Sequence, residues 1–131
     1  MPQSYGGNNF KKQIFAGGIV GWESGNINES YNNGNIVING GSEAIRAGGI
    51  CGWINENEKE LSNCYNTGNI EVTNGLVYAG GIIGHQRNNS TLNNAYNEGI
   101  IKITTPNSQS AIGGIVGYVD DSLINNIVNC G

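Results

Sequence analysis

Apolar residues along this chain recur two apart, set among glycine and asparagine, and the same pattern returns along its whole length. Ile36 and Ile38, Ile70 and Val72, and Ile101 and Ile103 flank Val37, Glu71 and Lys102. Period-two alternation predicts a β-strand with the isoleucine and valine side inward and the intervening residue outward. Ile27, Leu61, Leu92 and Ile124 form a second apolar column, just before the phrases ESYNNGNI, NCYNTGNI, NAYNEGII and NIVNCG. Ile19, Ile50, Ile82 and Ile115 form a third, inside AGGIVGW, AGGICGW, AGGIIGH and IGGIVGY. These last phrases begin at Ala16, Ala47, Ala79 and Ile112, spaced 31, 32 and 33 residues apart.

A near-constant period of this size means one structural unit stacked on copies of itself. Each unit reads as three short strands: the GGI segment, the run into the Tyr-Asn phrase, and the alternating strand. The fold expected is all-β, a right-handed parallel β-solenoid of about 3.5 repeats. The repeats are 15–46, 47–78, 79–111 and a truncated 112–131, preceded by a partial or capping segment 1–14 anchored by Phe10 and Ile14. Both Ile19 and its neighbour Val20 are apolar in every copy, so the GGI strand is either covered on both sides or exposes one row. Helix loses, because glycine and β-branched residues dominate and no 3.6-residue apolar period persists. Asn55 to Glu60 and Thr105 to Ser110 read as surface loops.

Stacking puts equivalent residues about 4.8 Å apart along the axis. Asn32, Asn66, Asn97 and Asn129 fall in one column, where side-chain amides bond up the stack as a ladder. Gly34, Gly68, Gly99 and Gly131 follow two residues later and are expected at sharp, glycine-demanding turns.

Composition narrows the function. In 131 residues there are 22 glycines, only 12% charged residues and a net charge of −4. Six scattered Lys and Arg supply no basic face, so nucleic acid is not an expected partner. No window approaches the roughly 20 apolar residues of a membrane span, so no membrane insertion is expected. The start lacks a basic and then apolar leader, and the sequence reads as a piece of a longer protein.

The paired phrases AGGIVGW and INESYNNGNI resemble the GLUG repeat, over roughly Phe15 to Gly131. That repeat occurs in arrays within large bacterial surface proteins, including filamentous-haemagglutinin-like adhesins and the non-catalytic part of secreted immunoglobulin A1 metalloproteases. The resemblance implies a right-handed solenoid, located extracellularly or at the bacterial cell surface, with no catalytic motif.

Candidate chemistry is sparse. Trp22, Trp53, His85 and Tyr118 occupy one column, which reads as ring stacking between coils or as a row presenting flat faces to sugars. His85 is the only histidine, which excludes a multi-histidine metal site. Cys51 and Cys64 align with small or apolar residues and read as core, while Cys130 falls on an outward turn as the one accessible thiol. Asp120 and Asp121 are neighbours, which on a strand point oppositely and make a poor glycosidase pair. Glu56, Glu58 and Glu60 form an acidic run without the further oxygen ligands of a calcium loop. The expectation is a non-enzymatic spacer, display or adhesion module with no cofactor, catalytic residue or metal ligand. Its rivals are a glycan-binding module, with a host glycan or host surface protein as partner, and a subunit that stacks head to tail into a fibre. The head has roughly the length to complete the unfinished last coil, which fits either a window cut from a longer array, the reading the resemblance favours, or such a fibre subunit. In both cases end-to-end association is expected.

Overall fold

The structure, a computed structural model, describes residues 13–40 and 44–131. Phe10 and the rest of residues 1–12 lie outside these residues, and so does the expected head-to-tail contact. The first coil contains β1 (Gln13–Gly17), β2 (Val20–Glu23), β3 (Ile27–Asn28), β4 (Tyr31–Asn32) and β5 (Ile36–Asn39). The second contains β6 (Ala44–Gly48), β7 (Cys51–Ile54), β8 (Glu60–Asn66) and β9 (Ile70–Gly80), whose second half already belongs to the third coil. There follow β10 (Ile83–Gln86), β11 (Thr91–Asn97) and β12 (Ile101–Pro106), then β13 (Ala111–Gly113), β14 (Val116–Val119) and β15 (Leu123–Asn129).

The chain is a parallel β-solenoid of about four turns, and no helix occurs among the described residues. In the first sheet β1, β6, the second half of β9 and β13 lie side by side, with Ala16, Ala47, Ala79 and Ile112 in register. The first half of β9 carries β5 on one side and β12 on the other. The second sheet runs β14-β10-β7-β2 and the third β15-β11-β8-β3, with β4 also on β8. Gln13 and Ile14, the last two residues of the head segment, begin β1 opposite Ala44 and Ile45.

The GGI segment is not a strand. Gly18 and Ile19, like Gly49 and Ile50, form a corner between two strands, so the second and third coils each have four strand segments rather than three. The corner closes because its glycines lack side chains: a Cβ on Gly48 would lie 2.0 Å from the Cys51 carbonyl oxygen. Ile50, Ile82 and Ile115 point into the core from this corner, whereas Ile19, in the first coil, is 46% exposed. That settles the ambiguity of the two adjacent apolar residues, since at a corner neighbours need not face opposite sides. The loops are also shorter than expected: β8 starts at Glu60 and β12 continues to Pro106.

Two cores result. One gathers Ile27, Ile50, Ile54, Leu61, Ile82 and Leu92 between the second and third sheets. The other gathers Ile38, Ile45, Ile70, Val72, Val77 and Ala79 within the first sheet's fold. Between them stands the asparagine ladder. A Cβ on Gly49 would lie 2.4 Å from the Asn66 Cγ, and Asn97 Nδ2 donates to the Gly114 carbonyl at 3.0 Å. The coil is therefore pinched, with each ladder amide reaching across to a Gly-Gly corner.

Asn32 Nδ2 donates to Asn66 Oδ1 at 2.8 Å, Asn66 to Asn97 at 2.9 Å and Asn97 to Asn129 at 2.9 Å. Each inner rung also bonds both the N–H and the carbonyl of the glycine two residues on. These glycines do not adopt the left-handed backbone expected of sharp turns; Gly75 (φ 118°) is the positive-φ glycine among the described residues. Gly68 is glycine for a steric reason instead, since a Cβ there would lie 2.0 Å from the Gly34 carbonyl of the coil beneath. Of the left-handed positions, Glu29, Asn63, Asn94 and Asn126 form one column, which separates β3 from β4 and lies within β8, β11 and β15 of the third sheet. Asparagine is the residue besides glycine that visits this region readily.

Candidate functional site

The second sheet brings Trp22, Trp53, His85 and Tyr118 into register. The ring centroids are 4.9 Å apart for Trp22–Trp53, 5.9 Å for Trp53–His85 and 4.8 Å for His85–Tyr118. Interplanar angles of 31°, 20° and 3° make this a near-continuous stack along the solenoid axis. Each inner ring therefore gives its faces to its neighbours and only its edges to the surroundings. The end rings, Trp22 and Tyr118, are 51% and 42% exposed.

A second column interleaves with this one. Two residues before each Gly-Gly pair stands Phe15, Arg46, Tyr78 or Ala111, aligned through β1, β6, β9 and β13. Phe15 stacks at 5.2 Å on Trp53 and lies 5.4 Å from Trp22. The Arg46 guanidinium sits 4.4 Å from the centre of Trp53 and 5.6 Å from those of Phe15 and Tyr78, a cation held by three aromatic rings. Tyr78 meets His85 and Tyr118 edge-on at 5.3 and 5.1 Å. This second column was missed in the sequence because its members differ in chemistry, though all but Ala111 are bulky and share one repeat position.

Arg46 also donates from Nε to His85 Nδ1 at 3.0 Å and from Nη1 to Gln13 Oε1 at 2.7 Å. The first bond fixes the tautomer, because an accepting Nδ1 leaves the imidazole proton on Nε2. His85 is only 4% exposed, and Nε2 has no hydrogen-bond partner among the described residues; the same holds for Trp53 Nε1. Burial, then the nearby Arg46 and Arg87 cations, push the His85 pKa down to about 4, against a smaller opposing pull from Asp120. At neutral pH the ring is an uncharged member of the stack.

The remaining candidates lie apart from this row. Cys51 is buried, donates to the Trp53 carbonyl at 3.4 Å, and has its thiol pushed up to about 12 by burial. Cys64 is buried with its pKa raised for the same reason, while Cys130 is exposed. Glu56 and Glu58 on a turn and Glu60 at the start of β8 are all exposed, and Glu58 takes a hydrogen bond from Asn57 at 3.2 Å. Asp120 pairs with Arg87 at 3.7 Å, and Asp121 occupies a left-handed corner (φ 51°). Among the described residues no three His, Cys, Asp or Glu gather as a metal site.

A second amide column was also missed. Asn63 Nδ2 donates to Asn28 Oδ1 at 2.9 Å, Asn94 to Asn63 at 2.6 Å and Asn126 to Asn93 at 3.2 Å, all on the exposed side of the third sheet. Beside it Tyr31 and Tyr65 stack at 5.1 Å. Comparison with known protein families, with curated proteins and with solved structures finds no match.

Proposed function

We propose that this chain is a non-enzymatic structural module, a rigid segment that spaces, displays or mediates adhesion within a larger bacterial surface or secreted protein. One observation carries the reading: the repeated polar and aromatic columns bond along the axis to their own next copies. The buried amide ladder at 2.8–2.9 Å and the ring stack are both of this kind. Repetition has been used here to join coils. The resemblance of the paired phrases to the GLUG repeat supports the surface or secreted setting.

A glycan-binding role for the aromatic row is the second reading. Sugar recognition by aromatic residues uses the ring face, and in this row the inner faces are covered by neighbouring rings. The exposed end rings are the observation in its favour. A glycan array probed with the chain decides between the two. The structural reading expects no saturable binding tighter than about millimolar, the weak end of the affinity scale. Specific oligosaccharide binding that disappears in both Trp22→Ala and Trp53→Ala would reverse the ranking.

A further inference from the structure

Three of the four positions in the ring stack hold Trp or Tyr, and the remaining one holds the chain's single histidine. That histidine is enclosed on every side. Trp53 from β7 and Tyr118 from β14 cover its faces, Tyr78 from β9 meets it edge-on, and Arg46 from β6 donates to its Nδ1. Two further charged groups face it from just beyond the strands, Arg87 after β10 and Asp120 after β14. The one carboxylate is 3.7 Å from Arg87, so it is already engaged with that cation.

We infer that His85 is an acid-operated latch: when its imidazole takes up a proton, Arg46 is released and the two interleaved columns part locally, while the amide ladders keep the coils stacked.

The chemistry of one bond carries this. Neutral His85 accepts the Arg46 Nε–H at Nδ1. The only site open to a proton is that same nitrogen, because Nε2 already bears one. After protonation two N–H groups point at each other across 3.0 Å, and a new positive charge sits between two guanidiniums. The contact changes from attraction to repulsion in a buried setting where water screens little. Arg46 keeps its bond to Gln13, which is exposed, so its way out leads toward solvent and off the Trp53 ring. Meanwhile the ladder from Asn32 to Asn129 lies at the pinch between the two cores and contains no group that titrates in this range. The device is thus confined to the second and third coils. The same burial and cations that penalise protonation set its threshold, near pH 4. It stays closed at neutral pH whatever the larger role of the module.

The test is a pH titration of the full chain from 7 to 3, read by tryptophan emission, by the nuclear magnetic resonance signal of the His85 ring, and by far-ultraviolet circular dichroism. The inference expects emission and ring signal to change together, reversibly, with a midpoint near 4 while circular dichroism is unchanged. Arg46→Gln should move the midpoint upward toward the ordinary 6.5, because it removes a cation that opposes protonation. His85→Phe should abolish the emission change while preserving the stack. The inference is overturned if His85 titrates near 6.5 in the unaltered chain, if the emission change survives in His85→Phe, or if it coincides with loss of circular dichroism. Should His85→Phe fail to fold, the unaltered chain and Arg46→Gln decide the matter.

Discussion

Replacing Asn66 by alanine removes an amide whose full hydrogen-bonding capacity is in use. Its two N–H groups donate to the Gly68 carbonyl at 2.8 Å and to Asn97 Oδ1 at 2.9 Å. Its oxygen accepts from Asn32 Nδ2 at 2.8 Å and from the Gly68 N–H at 3.2 Å. In the variant Asn32 and Asn97 keep bonds to Gly34 and Gly99, but the buried Gly68 loses partners for both of its backbone groups. Two orphaned buried groups at roughly 1–3 kcal/mol each give a loss of about 4 kcal/mol. Asn129→Ala is the matched control at the edge of the ladder. It removes one bond from Asn97, which still donates to Gly99 and Gly114, so the loss should be about 1 kcal/mol. Asn66→Asp sharpens the test, because it keeps the shape but lacks the N–H groups. It should recover none of the lost stability near neutral pH. Urea unfolding followed by circular dichroism measures all three variants. Equal midpoints for Asn66→Ala and Asn129→Ala, or a near-normal Asn66→Asp, would refute the assignment of the ladder as the joint between the two cores.

Gly49→Ala should cost about 3 kcal/mol or more, because its Cβ would lie 2.2 Å from the Gly81 carbonyl and 2.4 Å from Asn66 Cγ. Gly25→Ala meets nothing nearer than 3.7 Å and should stay within about 0.5 kcal/mol of the parent in the same assay. Ile82→Asn buries an unpaired amide at a fully buried corner and should lose about 2–5 kcal/mol. Lys102→Asn loses only an exposed contact with Glu71 at 4.0 Å and should lose roughly 0.5 kcal/mol, so similar thermal midpoints for these two would contradict the strand faces. A disulfide-exchange reagent should modify one thiol rapidly, Cys130, and reach Cys51 and Cys64 only on unfolding; three fast thiols would contradict their burial.

The repeat, its register and most of the inward columns are legible in the residues alone, with Ile19 the exception at the first corner. Those follow from local rules: a period of two fixes the faces of a strand, and a constant spacing fixes which residues share a column. Ile70, Val72 and Leu61 are legible on that basis, and so is the alignment of Trp22, Trp53, His85 and Tyr118. The path of the chain between columns was decided only in three dimensions. Gly18 and Ile19 look like strand residues because isoleucine favours strands, yet they make a corner, since Gly17 and Gly18 let backbone approach backbone where a Cβ would collide. Gly68 looks like a turn residue, yet its backbone is ordinary, and the coil beneath is what forbids a side chain. Arg46 belongs to no visible motif. It joins the ring stack because the corner folds β7 back beside β6, which puts its guanidinium against Trp53, and coil stacking brings up His85, 39 residues on. Contacts along the stacking axis repeat with the sequence and can be read from it. Contacts across the coil depend on how tightly each corner closes, which is set by packing between residues the period does not relate.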